Sequence, residues 1–104
     1  MKAAVFRETN KPLSIEEVEL DPPKDNEVRV KIAAAGVCRS DLHFMKGEAA
    51  IAVPAVLGHE GAGVVEEVGS GVASLEVGDH VIPLYTPECR QCEYCTSGKT
   101  NLCQ

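Results

Sequence analysis

Charged and apolar residues alternate from Glu27 to Ile32 in "EVRVKI", the period-two signature of a strand with one buried face. "KAAVF" at the start, "GVVEEVG" from Gly63 and the short "HVIP" at His80 also predict strands. "LSIEEVEL" drifts from strict alternation and is read as a further strand, while "DPPKDNE" is a turn in which Pro22 and Pro23 lack amide donors. One stretch, "SDLHFMKG", predicts a short helix, with Ser40 placed to cap its start and Lys46-Gly47 suited to its end. Gly58, Gly61, Gly63, Gly69, Gly71 and Gly78 fall at closely spaced positions that read as turns. There is no repeat, heptad, low-complexity tract or interdomain linker. Short strands punctuated by Gly and Pro predict a mostly β, barrel-like domain over residues 1–104.

Composition narrows this picture. A chain of 104 residues is long enough for one small domain with a real core. At 44% hydrophobic and 25% charged it is globular and not disordered. Aromatic residues are only 4%, so the core is expected to be mainly Val, Ile, Leu and Ala. A net charge of −6 argues against a nucleic-acid or anionic-membrane surface, which needs clustered Lys and Arg. The first apolar stretch is too short for a signal peptide, and none approaches the roughly 20 residues of a membrane span. A cytoplasmic location is expected, where stable disulfides are disfavoured.

The five cysteines then need another explanation. Cys89, Cys92 and Cys95 are separated by two residues each, and Cys103 follows after seven more. A two-residue spacer lets a tight turn aim neighbouring sulfurs at one point, as tetrahedral zinc requires. Four thiolates would fill the coordination sphere, so the site would be structural, holding a polar loop with few apolar residues of its own. An iron–sulfur cluster is the rival, since bacterial ferredoxins share the first spacings; they place the fourth cysteine after three residues and follow it with Pro. Here Gln104 follows.

Cys38 in "GVCRSDLH" and His59 in "GHEGAG" form a second constellation. One thiolate and one imidazole are two of the three protein ligands that a catalytic zinc commonly takes. By spacing alone the pairing is weak, because a single His in a glycine turn usually serves structure.

The motifs together carry more. "GHEGAGVVEEVGSGV" resembles the zinc-containing alcohol dehydrogenase signature of the medium-chain dehydrogenase/reductase superfamily, with Gly58, His59, Glu60, Gly63, Gly69 and Val72 at its positions. "GVCRSDLH" resembles that family's first catalytic-ligand segment, and residues 88–104 resemble its structural zinc lobe. "IPLYTPECRQCEYCTSGKTNLCQ" is similar to class III members, the S-(hydroxymethyl)glutathione dehydrogenases.

The resemblance implies a GroES-like, barrel-type N-terminal part of an alcohol dehydrogenase catalytic domain. It implies that Cys38 and His59 ligate a catalytic zinc, and that Cys89, Cys92, Cys95 and Cys103 hold a structural zinc. Glu60 would approach the catalytic metal during ligand exchange; otherwise it is a solvated turn acid. Asp41 would orient the histidine ligand, or simply place a favourable charge in a helix's first turn. Ser40 and His43 would relay the alcohol proton out of a closed pocket, against the plainer roles of helix cap and exposed helix residue. Arg39 would contact the pyrophosphate of the cofactor, NAD. The full-length enzyme would be a homo-oligomer acting on a small-molecule alcohol.

Two parts of that machinery are missing from the residues. "GSGVAS" at Gly69 lacks the final Gly of a dinucleotide fingerprint and opens no helical pattern, so no Rossmann domain is expected. No cysteine or histidine remains for a third catalytic-zinc ligand. The expectation is an N-terminal fragment that binds structural zinc and is inactive alone. The segment "MKGEAAIAVPAVLGHE" offers only Glu48 where a glutathione adduct typically meets an acidic pair, so a simple alcohol fits equally well. A stand-alone zinc-binding or interaction module is the alternative; it leaves Cys38, Ser40, His43 and His59 without a task. A nucleic-acid-binding zinc ribbon would want a basic face.

Overall fold

The computed structural model describes all residues 1–104. Strands β1 (Lys2–Phe6), β2 (Ser14–Glu17) and β4 (Ala55–Val56) form one three-stranded sheet in the order β2-β1-β4. Strands β3 (Val28–Ala35), β5 (Gly61–Val68) and β6 (His80–Val81) form a second, in the order β3-β5-β6. Every pairing is antiparallel, and no parallel β-α-β unit occurs. Two short α-helices, α1 (Arg39–Met45) and α2 (Glu93–Thr96), and a 3₁₀ turn (Thr100–Leu102) complete the fold. No helix is long and apolar enough to cross a membrane.

The mostly β expectation holds, with differences in detail. "LSIEEVEL" forms a strand only over Ser14–Glu17. Gly61 and Gly63 are not turn residues; both lie inside β5. Their smallness is needed there because β3 approaches closely: a Cβ at Gly63 would sit 2.2 Å from the Lys31 carbonyl oxygen. The helix starts at Arg39, with Cys38 at the N-cap and no side-chain cap, so Ser40 does not serve as the cap. It lies one residue inside the helix, where its hydroxyl points elsewhere.

The core is thinner than the chain length suggests. Among apolar residues only Val5, Phe6 and Val65 are buried, so an aromatic sits at its centre. The radius of gyration is 15.8 Å, against about 13 Å for a compact domain of this size. Ile82, Leu84 and Tyr85 are each more than 70% exposed, which leaves the segment between β6 and the cysteine lobe open.

One ladder positions the chemistry. Ala35 pairs with Gly61 at the end of the β3–β5 ladder, and the Gly36 N–H extends it by donating to the Glu60 carbonyl at 2.9 Å. Cys38 lies three residues beyond Ala35, and His59 two before Gly61. The ladder therefore delivers both to the same end of the sheet.

Candidate metal centres

The four-cysteine lobe is a local structure. Arg90, between the first two cysteines, takes φ 60°, a left-handed conformation that tightens the turn. The Cys89 sulfur then accepts N–H bonds from Gln91 at 3.4 Å and Cys92 at 3.3 Å. Helix α2 follows and ends on Gly98 (φ 82°): the Gly98 N–H donates to the Cys95 carbonyl and the Lys99 N–H to that of Tyr94. This paired closure reverses the chain and brings Cys103 back. The Cys89 N–H completes the turn by donating to the Cys103 sulfur at 3.4 Å.

All four sulfurs lie within 4.8 Å of one another. Tetrahedral zinc with bonds of about 2.3 Å sets its sulfurs about 3.8 Å apart. Cys89 and Cys95 are 3.9 Å apart, so the donor set fits that ion with little adjustment. The thiols also differ in acidity. Backbone N–H bonds, from Gln91 and Cys92 onto Cys89 and near Gln104 and Cys95 for Cys92, lower both pKa values, that of Cys92 to about 6. Desolvation pushes Cys95 up to about 12. For Cys103 the Cys89 N–H pulls downward, but desolvation and the Cys89 thiol outweigh it and the net shift is upward. Four neighbouring thiolates repel one another, so a cation bound among them would displace the protons that Cys95 and Cys103 hold most firmly.

The second centre is assembled from distant residues. Donor atoms of Cys38, His59 and Glu60 also lie within 4.8 Å of one another. Asp41 Oδ1 stands 3.6 Å from His59 Nδ1, beyond a direct hydrogen bond but close enough to orient the ring electrostatically and leave Nε2 for a ligand. Their side chains are 18% and 28% exposed, respectively. Gly36 makes room for the carboxylate: a Cβ there would sit 2.1 Å from Glu60 Oε2.

Cys38, Ser40, Phe44, His59 and Tyr85 line a cavity of about 330 Å³ beside these donors. The Ser40 hydroxyl is buried there without a hydrogen-bond partner. Such an orphan costs about 1–3 kcal/mol and calls for a polar ligand atom. Tyr85 rests against His59 with ring centroids 5.5 Å apart, giving the cavity an aromatic wall. A soft sulfur, an imidazole and a carboxylate around an opening suit zinc with a position left for another ligand.

The structure thus brings Cys38, Ser40, Asp41, His59 and Glu60 together. It does not bring Arg39 or His43 to the cavity wall: Arg39 is exposed on the first turn of α1, and His43 lies further along it, bonded to Glu48. Sequence reasoning missed Gly36, whose role is visible only through its approach to Glu60. It also missed Tyr85, although that residue stands within the quoted lobe segment.

Antiparallel sheets, an open three-donor cluster and a closed four-thiol lobe define a β domain built around residues able to hold metal. The chain belongs to the family of the alcohol dehydrogenase GroES-like domain, whose model matches residues 24–104. It is 59% identical to the S-(hydroxymethyl)glutathione dehydrogenase of Komagataella pastoris over 98% of its length, and 57% identical to the alcohol dehydrogenase class-3 of Drosophila melanogaster over 99%. It spans 27% of the length of each of these relatives. Among solved structures, an alcohol dehydrogenase zinc-binding domain protein from Burkholderia ambifaria superposes with a TM-score of 0.86 at 43% identity, covering 95% of this chain and 26% of that one.

Proposed function

We propose that this chain is the metal- and substrate-handling part of a zinc-dependent alcohol dehydrogenase that passes a hydride from an alcohol to NAD. The observation that carries the proposal is the buried, unpartnered Ser40 hydroxyl in a cavity it shares with Cys38 and His59. A stand-alone structural module has no use for such a group.

Cys38 and His59 hold the catalytic zinc, with Glu60 as a carboxylate that can reach the same ion. When bound, that zinc supplies a positive charge that acidifies an alcohol hydroxyl. Asp41 steadies His59. Phe44 and Tyr85 shape the apolar wall, and Ser40 accepts the substrate's proton and passes it towards His43. Arg39, at the exposed start of α1, is free to meet a cofactor phosphate. Cys89, Cys92, Cys95 and Cys103, in the lobe of residues 88–104, hold a structural zinc. Apart from the Arg39 contact, the NAD site is not built from residues 1–104, the complete enzyme is a cytoplasmic homo-oligomer, and nucleic acid and membrane are not partners. S-(hydroxymethyl)glutathione is the first substrate to try, on the strength of what the relatives' names say they act on.

Grafting this chain in place of the matching quarter of the Komagataella pastoris relative tests the proposal. Zinc- and NAD-dependent alcohol oxidation is expected from the graft and none from the 104-residue chain alone. A folded, zinc-loaded graft with no turnover on S-(hydroxymethyl)glutathione or simple alcohols contradicts it.

A further inference from the structure

Glu48 stands outside the cavity, yet its side chain is committed to one partner. Its carboxylate meets His43 Nδ1. The backbone explains why. Helix α1 closes on Gly47 (φ 76°), with the Gly47 N–H donating to the Phe44 carbonyl at 3.0 Å and the Glu48 N–H to the His43 carbonyl at 2.9 Å. That closure places Glu48, the third residue past Met45, over His43, the third-last residue of the helix. The contact made there is commonly apolar; here it is a carboxylate on an imidazole. Gly47 itself is held against Thr9, since a Cβ would sit 2.7 Å from Thr9 Cγ2. The Asn10 N–H donates to the Met45 carbonyl at 2.8 Å and ties the same turn to the first sheet.

An ionised carboxylate only accepts hydrogen bonds, so the Nδ1 it touches must carry the proton. In neutral His43 this makes Nε2 the nitrogen with a free lone pair. Ser40 and His43 are three residues apart on one helix; the Ser40 hydroxyl has no direct partner, so a proton moving between them crosses an intervening hydroxyl or water. We propose that Glu48 is the positioning residue for His43: it holds Nδ1–H, sets the tautomer, and so presents Nε2 as the acceptor for the proton relayed from Ser40. The proposal rests on the relay reading above. In each transfer the substrate O–H bond breaks as a Ser40 O–H bond forms, the original Ser40 proton moves to the intervening hydroxyl or water, and that group's own proton moves to His43 Nε2. His43 Nε2 then gives that proton to water, which restores the Nδ1–H tautomer, the Glu48 charge offsetting the transient imidazolium. Both side chains are about half exposed, at 46% and 53%, so the pair adds little to stability; its consequence is orientation.

The test is the ¹⁵N spectrum of the His43 ring in the labelled, zinc-loaded 104-residue chain, read above the ring's titration. The expected result is an Nδ1–H tautomer in the parent chain, retained in Glu48→Gln, whose amide oxygen still accepts, and lost in Glu48→Ala. An Nε2–H tautomer in the parent chain overturns the proposal even if a variant fails to fold, and so does a tautomer unchanged in a folded Glu48→Ala chain. This readout needs no alcohol, cofactor or turnover, so it stands or falls separately from the dehydrogenase assay on the graft. In an active graft, Glu48→Ala should lower kcat about 10-fold with KM unchanged. A raised KM for S-(hydroxymethyl)glutathione at constant kcat would instead make Glu48 a substrate-recognition group and overturn the proposal.

Discussion

The two candidate metal centres differ in how far apart in sequence their donors lie. The lobe's four cysteines fall within one short stretch, aimed by a left-handed Arg90 and a glycine-closed helix turn. Cys38 and His59 are brought together by the β3–β5 ladder, with Gly36 and Asp41 adjusting the result. The first arrangement is closed and local, which suits a staple. The second is open and depends on the fold, which suits a site where substrate must come and go. Breaking one should therefore leave a different signature from breaking the other.

The largest effect is expected from Cys95→Ser. A structural zinc is worth about 10–16 kcal/mol of apparent binding, and the lobe has little apolar packing to replace it. Zinc content should fall by one ion per chain, and amide protection across residues 88–104 should vanish while the β3–β5 ladder stays protected. Hydrogen exchange reads both regions at once. A protected lobe without zinc would break the comparison.

Asp41→Asn comes next and acts only on the open centre. Loss of the charge facing His59 Nδ1 should weaken metal binding there about 10–100-fold and leave the lobe's zinc in place, as competition with a chelator would show. Gly36→Ala sharpens the same contrast. Its new methyl group collides with the far end of the Glu60 side chain, which can swing away, so the melting temperature should hardly move. The displaced carboxylate should lower affinity at the open centre about 10-fold. A large drop in melting temperature would mean that Gly36 serves the backbone instead.

The smallest effect lies in the first sheet, remote from both centres. The Arg7 guanidinium, 2.7 Å away, and the Ser14 hydroxyl hold the Glu16 carboxyl at about 2, below its ordinary 4.5. A carboxyl depressed in this way stabilises the fold fully above about pH 4.5, and that contribution disappears as the pH falls towards 2. The pair is solvent-exposed, so the step is small. Acid titration of Glu16→Gln should show a slightly flatter loss of stability over that window, while its zinc content at neutral pH equals the parent's.

The same contrast between local and fold-dependent structure governs what could be read from the residues. The lobe was legible because its spacing and its geometry are one fact: two-residue spacers make knuckles wherever they fold. The alternation in "EVRVKI" announced β3, because a half-buried strand imposes that period. Of the two roles the residues leave open for Ser40, cap and relay, the cap fails, since local pattern cannot show that Cys38 takes the cap position and that the Ser40 hydroxyl turns into a cavity. Gly61 and Gly63 looked like turns because the closeness of β3 is not written near them. The role of Gly36 depends on Glu60, which lies far along the chain, and Tyr85 faces His59 only after β5 and β6 pair.

The central claim is two chemically distinct metal sites in one chain, one closed by four thiolates and one open. The most direct measurement is zinc content per chain during timed exposure to a chelator, run on the parent chain and on Cys38→Ala. The account predicts two ions in the parent, one removed quickly and one slowly, and only the slow ion in Cys38→Ala. Loss of the slow ion on substituting Cys38, or a parent chain whose two ions leave together, would contradict it.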